Sequence, residues 1–146
     1  MKPLALFALI LLVGCSSKPP IDTKRTLSVG TVMQNLDELN GKIVKVAGFL
    51  PDCGGYDCSL FANEQQARAF WRIANNPHGK EKLPEFVEIG SVRGFDAKAG
   101  PLAGRYVIVS GQVTNECKQG CTDRGPNLIP TDIELWSQQL NDRTRL

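Results

Sequence analysis

Two stretches of the chain alternate between apolar and polar positions, and this pattern predicts long β-strands. They cover residues 41–50 and 104–113, and both are rich in valine and isoleucine. The alternation divides the first stretch into two faces: Val44, Val46, Gly48 and Leu50 on one, and Ile43, Lys45, Ala47 and Phe49 on the other. β-Branched residues repeating with a period of two are typical of strands that bury one face.

The two predicted strands share one pattern. Each reads glycine, base, any residue, valine, any residue, valine, any residue, glycine. The pattern occurs only twice, so it is a local similarity and not a solenoid repeat. A glycine inside a strong strand usually marks a bulge or a bend, so Gly48 and Gly111 favour a curled barrel over a flat sheet.

Two other segments have helical periodicity. Residues 28–40 repeat apolar side chains at three-to-four spacing, and Gly41 follows as a stop signal. A second helix is predicted over residues 64–76, with Asn63 as its N-cap. Its apolar stripe consists of Ala67, Phe70, Trp71 and Ala74. We expect both tryptophans, Trp71 and Trp136, to lie in the core.

Shorter strands are predicted over residues 59–62, 86–90 and 128–136. Five strands with bent first and fourth members resemble the oligonucleotide/oligosaccharide-binding (OB) barrel. Residues 28–50 are similar to the opening of predicted bacterial OB-fold proteins of unknown function, in which a short helix leads into Gly-Lys-x-Val-x-Val-x-Gly. The resemblance covers residues 28–136 and implies a mainly β, OB-like barrel of five strands with one or two short helices.

One feature departs from the OB pattern, in which the helix usually lies between strands three and four. The predicted helix over residues 64–76 falls between strands two and three. Residues 93–104 occupy the usual helix position and are expected to form a loop. The alternative fold is a small α+β sandwich.

The net charge is small. The 146 residues contain 17 Lys plus Arg and 15 Asp plus Glu, which gives a formal charge of +2. Proteins that bind single-stranded nucleic acid combine a basic groove with serial aromatic side chains. Only Phe61 and Phe86 fall on plausible central strands here, and we expect no nucleic-acid partner.

The N-terminus has the plan of a secretory signal peptide. Lys2 precedes an apolar run over residues 4–13, which is too short to span a bilayer. The sequence Leu-Val-Gly-Cys that ends at Cys15 resembles the lipobox of bacterial lipoproteins. The resemblance implies that residues 1–14 are removed and that Cys15 carries a diacylglyceryl group and an acylated amino terminus. The alternative is an ordinary signal peptide with a chance cysteine at its end.

Several acyl chains on one residue would anchor the protein permanently, since each buried CH₂ contributes about 0.8 kcal/mol. In lipoproteins, Asp after the lipidated cysteine favours the inner membrane. Ser16 stands there instead, so the resemblance implies an outer-membrane anchor facing the periplasm. We interpret residues 15–27 as anchor and tether, and residues 137–146 as a polar tail.

Four further cysteines follow the two similar strands in pairs, Cys53 with Cys58 and Cys117 with Cys121. An oxidising compartment favours two local disulfides. Pairing between the two loops, a Cys₄ zinc site and thiol redox catalysis are the alternatives. In an OB barrel, both loops would flank the usual ligand face.

Candidate contact residues lie in the same loops. Tyr56 is the best placed exposed aromatic residue, and Asp52 and Asp57 flank it as possible ligands for a cation or a sugar hydroxyl. In the second loop, Lys118 and Arg124 supply positive charge.

The only histidine, His78, lies in a polar loop and has no local catalytic or metal-binding partner. We therefore expect no catalysis, no cofactor and no metal, but a small binding or scaffolding domain with a protein or glycan partner in the cell envelope. The alternative function is a periplasmic thiol-redox or Cys₄ metal-binding protein.

Overall fold

A computed structural model describes residues 19–76, 78–116 and 124–137, and over these ranges the fold is mainly β. The strands are β1 (Thr26–Ser28), β2 (Ile43–Leu50), β3 (Cys53–Gly54), β4 (Asp57–Phe61), β5 (Phe86–Glu88), β6 (Arg105–Val113) and β7 (Leu128–Leu135). The helices are α1 (Val29–Met33), α2 (Leu36–Leu39), α3 (Glu64–Ala74) and α4 (Phe95–Ala99), followed by a 3₁₀ turn over Gly100–Leu102.

Five of the strands form a curled, OB-like barrel. β2 pairs antiparallel with β4 on one side and with β6 on the other. β4 continues to β5, and β6 continues to β7, again antiparallel. A parallel bridge between Ile89 and Leu128 joins the two ends of the sheet. The strand order therefore follows the OB arrangement, and the predicted fold class is confirmed.

The alternation along each strand separates the barrel interior from its outer surface. Val44, Val46 and Leu50 of β2 point inward and are almost fully buried, as the pattern predicts. They pack with inward residues of the other strands and with apolar residues of β1 and the short helices. The contributors outside the five barrel strands are Leu27, Val29, Val32, Leu36, Leu39, Cys53, Ile89, Phe95 and Ala99.

The two predicted glycine positions allow close approach between strands. A Cβ atom on Gly48 would lie 2.5 Å from the Phe61 carbonyl oxygen, and one on Gly111 would lie 2.4 Å from the Ile129 carbonyl oxygen. At Gly111 the pairing with β7 also shifts register, which is the expected bulge. Pairing of Gly48 with β6 is regular, so its role is close packing of β2 on β4.

Two predictions of local structure were wrong in part. The single helix expected over residues 28–40 is broken into α1 and α2, because Asn35 leaves helical geometry with φ −134° and ψ 28°. The loop expected over residues 93–104 contains α4, which lies between the third and fourth barrel strands. The usual OB helix position is therefore occupied, and α3 is an addition between strands two and three.

Within residues 19–76, 78–116 and 124–137, no helix has the length and hydropathy to cross a membrane. The expected signal peptide, Cys15 and the polar tail beyond Ser137 lie outside the described residues.

Candidate binding site

Helix α3 covers the outer face of the barrel around β4 and β5. The Phe70 ring lies 5.4 Å from the Phe61 ring and 5.0 Å from the Phe86 ring, centroid to centroid. On the same surface, Phe49 contacts Tyr106 at 5.3 Å. OB proteins use this face for oligonucleotides and oligosaccharides. Here its central aromatic side chains are packed against a helix, so they are not available for stacking on bases.

The helix is held in place by its cap and by a small apolar contact. Asn63 Oδ1 accepts a hydrogen bond from the Gln66 backbone N–H at 2.9 Å, as the sequence predicts. Ala67 is buried against Phe61 and Phe49. The expectation that Trp71 lies in the core was wrong: the side chain next to Phe70 is 44% exposed. Trp136 is half-buried at the edge of the Tyr106 ring.

A small cavity of about 130 Å³ opens between α3, β4 and β5 and the segment after β2. Its aromatic lining consists of Phe61, Phe70, Trp71 and Phe86, and its polar lining of Asp52, Asp57, Ser59 and Glu88. We call these eight residues the acid–aromatic pocket. It combines an apolar wall with three carboxyl groups. Asp52 lies between β2 and β3, Asp57 begins β4, and Glu88 ends β5.

Two of the carboxyl groups, those of Asp57 and Glu88, repel each other. Glu88 lies opposite Ser59 in the β4–β5 register, so Asp57 is its diagonal neighbour on the same face. Burial raises the pKa of Glu88, the charge of Asp57 raises it further, and Arg124 opposes both effects. Among the described residues, no lysine or arginine forms an ion pair with any of the three pocket carboxylates. This charge is therefore available to a cationic ligand.

A disulfide stiffens the loop beside the pocket. Cys53 and Cys58 are bonded and pair across the β3–β4 hairpin, which confirms the first predicted pair. Asp52 Oδ1 accepts a hydrogen bond from the Cys53 backbone N–H at 2.8 Å. Tyr56, at the tip of the hairpin, is 79% exposed. Cys117, Cys121 and Lys118 lie outside the described residues.

Arg124 is buried and uses all of its donors. Its guanidinium forms a fork with the Asp96 carboxylate, at 2.8 and 3.1 Å. Nε donates to the Ile89 carbonyl, and the remaining N–H groups reach the carbonyls of Gly90 and Gly55. An arginine has five N–H donors, and each has an acceptor here.

This arrangement assigns Arg124 a positioning role. It connects α4, the end of β5 and the first cysteine hairpin to the end of the second cysteine loop. The expectation that Arg124 contacts a ligand does not fit this geometry, because its side chain is only 3% exposed. Arg124 nevertheless contacts the first cysteine hairpin, by donating a hydrogen bond to the Gly55 carbonyl.

No other chemical constellation stands out in the described ranges. His78 is exposed in the loop after α3. Among residues 19–76, 78–116 and 124–137, no three His, Cys, Asp or Glu side chains are placed to hold one metal ion. The three pocket carboxylates are included in that statement.

Comparison with protein-family models, with curated proteins and with solved structures found no match.

The sequence identifies the pocket residues Asp52 and Asp57 and the neighbouring hairpin residue Tyr56. It does not identify Glu88 and Trp71 as pocket residues. The alternation of residues 86–90 does place Glu88 on the outer face with Phe86. Its proximity to Asp57 depends on the β4–β5 register, which no local pattern specifies.

Proposed function

We propose that this protein is a membrane-anchored periplasmic lipoprotein whose OB-like domain binds a partner and performs no catalysis. Lipidation at Cys15 anchors it in the outer membrane, facing the periplasm. The partner docks on the binding face formed by the acid–aromatic pocket and the Cys53–Cys58 hairpin.

One observation supports the docking face above the others. Helix α3 covers the aromatic centre of the outer surface, and beside it the pocket opens next to a disulfide-bonded hairpin that carries an exposed tyrosine. Tyrosine and tryptophan are enriched in interfaces because they supply large contact areas at low entropic cost. Stiffening a loop before binding lowers the entropy lost on association.

The charge of this face argues against nucleic acid as the partner. Three carboxylates line the pocket, and they would repel a phosphate backbone. A protein or glycan of the cell envelope therefore remains the partner class that we propose.

Site-specific photo-cross-linking in living cells tests the docking face. A photoreactive phenylalanine analogue at Tyr56 should capture one partner in reproducible yield. The matched control is Ile43, which is 71% exposed at the opposite end of β2 and should capture little. Equal capture at both positions, or none at Tyr56, would contradict the proposed face.

Fractionation tests the anchor separately. Cys15→Ala should release the protein from the membrane fraction into the soluble periplasmic fraction. Continued membrane retention of Cys15→Ala would contradict lipidation at this residue.

A further inference from the structure

We propose that the acid–aromatic pocket binds a primary ammonium group, and that this group is a lysine side chain of the partner protein. The inference rests on the proposed binding function and names the ligand chemistry of the same face. It follows from the size, the charge and the aromatic lining of the pocket, taken in turn.

The size of the pocket limits the ligand to the end of a chain. Sites for drug-sized ligands measure about 300–1,000 Å³. The cavity here is about 130 Å³, so it is too small for a nucleotide or a disaccharide. An aliphatic chain that ends in an ammonium group has a suitable shape, because its stem is thin and its charge is compact.

The charge of the pocket selects a cation. Asp52, Asp57 and Glu88 reach it from three separate segments, and no described lysine or arginine pairs with them. Like charges placed together are destabilising, so the free protein carries a repulsion that a bound cation would remove.

The aromatic lining suits an organic cation. Trp71 is half-exposed and lines the cavity together with Phe70. A cation over the face of tryptophan is attracted by the ring quadrupole, and tryptophan is the best aromatic partner for this interaction. The remaining rings would contact the aliphatic stem of a lysine.

The exposed hairpin favours a protein as the source of the ammonium group. Tyr56 precedes Asp57 directly and is 79% exposed, so it offers contact area beyond the pocket. A free alkylamine would leave this surface unused, whereas a lysine on a folded partner would bring further surface against it.

Fluorescence of Trp71 measures binding directly. The full chain is purified in detergent with Trp136→Phe, so that Trp71 is the only tryptophan. The probe is a lysine dipeptide analogue with blocked termini, and the uncharged control is the same compound with norleucine. We expect a saturable change in Trp71 fluorescence with the lysine probe and none with norleucine; equal responses would overturn the inference.

Variants assign the response to the pocket. Asp57→Asn and Glu88→Gln should each weaken lysine binding at least about fivefold, because each removes one attractive charge. Glu134→Gln removes an exposed carboxylate that pairs with Lys45, and it should leave the affinity unchanged. Because the pocket substitutions relieve repulsion, they should still fold, which circular dichroism verifies. Equal affinity in all three variants would overturn the inference.

Competing probes separate the possible ligands. Pentylamine should bind more weakly than a lysine-containing peptide from the cross-linked partner, whereas equal or tighter binding would overturn the assignment to a protein. If calcium or N-acetylglucosamine saturated the Trp71 fluorescence change at a lower concentration than the lysine probe does, the ammonium assignment would be overturned. Capture at Tyr56 without a lysine response contradicts only this inference, and failure of capture contradicts the proposed function itself.

Discussion

Replacing Arg124 with methionine should destabilise the protein by about 3 kcal/mol. Breaking a buried ion pair by removing one partner typically costs about 3–5 kcal/mol, because the other charge stays buried. We place the cost at the lower end of that range, since the Asp96 side chain is 36% exposed and water can solvate it in part. The φ of Arg124 is 56°, and methionine bears the same backbone strain, so the comparison isolates the side chain.

Urea denaturation followed by circular dichroism measures this loss. Arg68→Met is the matched control, since Arg68 pairs with Glu64 on the surface, where such pairs contribute about 0.5 kcal/mol or less. Arg124→Lys should give an intermediate loss because it keeps the charge but supplies only three donors. A loss below about 1 kcal/mol for Arg124→Met, or one equal to that of Arg68→Met, would refute the positioning role.

Three further outcomes follow from the same contacts. Glu88→Gln should raise the free energy of unfolding at neutral pH by about 0.5–1 kcal/mol, because a diagonal pair of like charges about 7 Å apart repels by this amount in a largely aqueous environment. The pKa of Glu88 is raised in the folded state, so ionisation of this residue lowers the free energy of unfolding. The stability difference between Glu88→Gln and the unchanged protein should therefore be absent below pH 4.5 and appear as the pH rises above that value. A difference that does not change with pH would contradict this explanation. Gly111→Ala should lower the free energy of unfolding, measured by thermal unfolding, by about 2 kcal/mol or more, because the added methyl group would clash with the Ile129 carbonyl oxygen. An unchanged free energy of unfolding would mean that β6 and β7 can move apart at this position. The double substitution of Cys53 and Cys58 by serine should lower the free energy of unfolding, measured by urea denaturation, by about 2 kcal/mol, as expected for a very short disulfide loop. An unchanged free energy of unfolding would show that the hairpin needs no covalent closure.

The strands were largely predictable, and the short helices were not. The alternation of valines predicts β2 and β6, and Asn63 predicts the start of α3. Helix α4 has only five residues, and it starts after Gly94, which has φ 82° and no side chain to cap it. Its stability comes from burying Phe95 and Ala99 in the barrel core, and no local pattern expresses that contact.

The binding face was predictable only in its loop. The cysteine spacing and the glycines of the first loop pointed to Tyr56, Asp52 and Asp57. The pocket itself requires α3 to fold back over β4 and β5, and it requires Glu88 to lie diagonal to Asp57. Both are tertiary contacts, so sequence reasoning placed Trp71 in the core and overlooked Glu88.

The central claim is that a partner docks on the acid–aromatic pocket and the adjoining hairpin. Its most direct test is the yield of photo-cross-linking at Tyr56 in living cells, compared between the otherwise unchanged protein and the Asp57→Asn, Glu88→Gln double variant. We predict that the yield of the captured partner falls at least about fivefold in the double variant at equal protein level. An unchanged yield would contradict the claim that the pocket binds the partner.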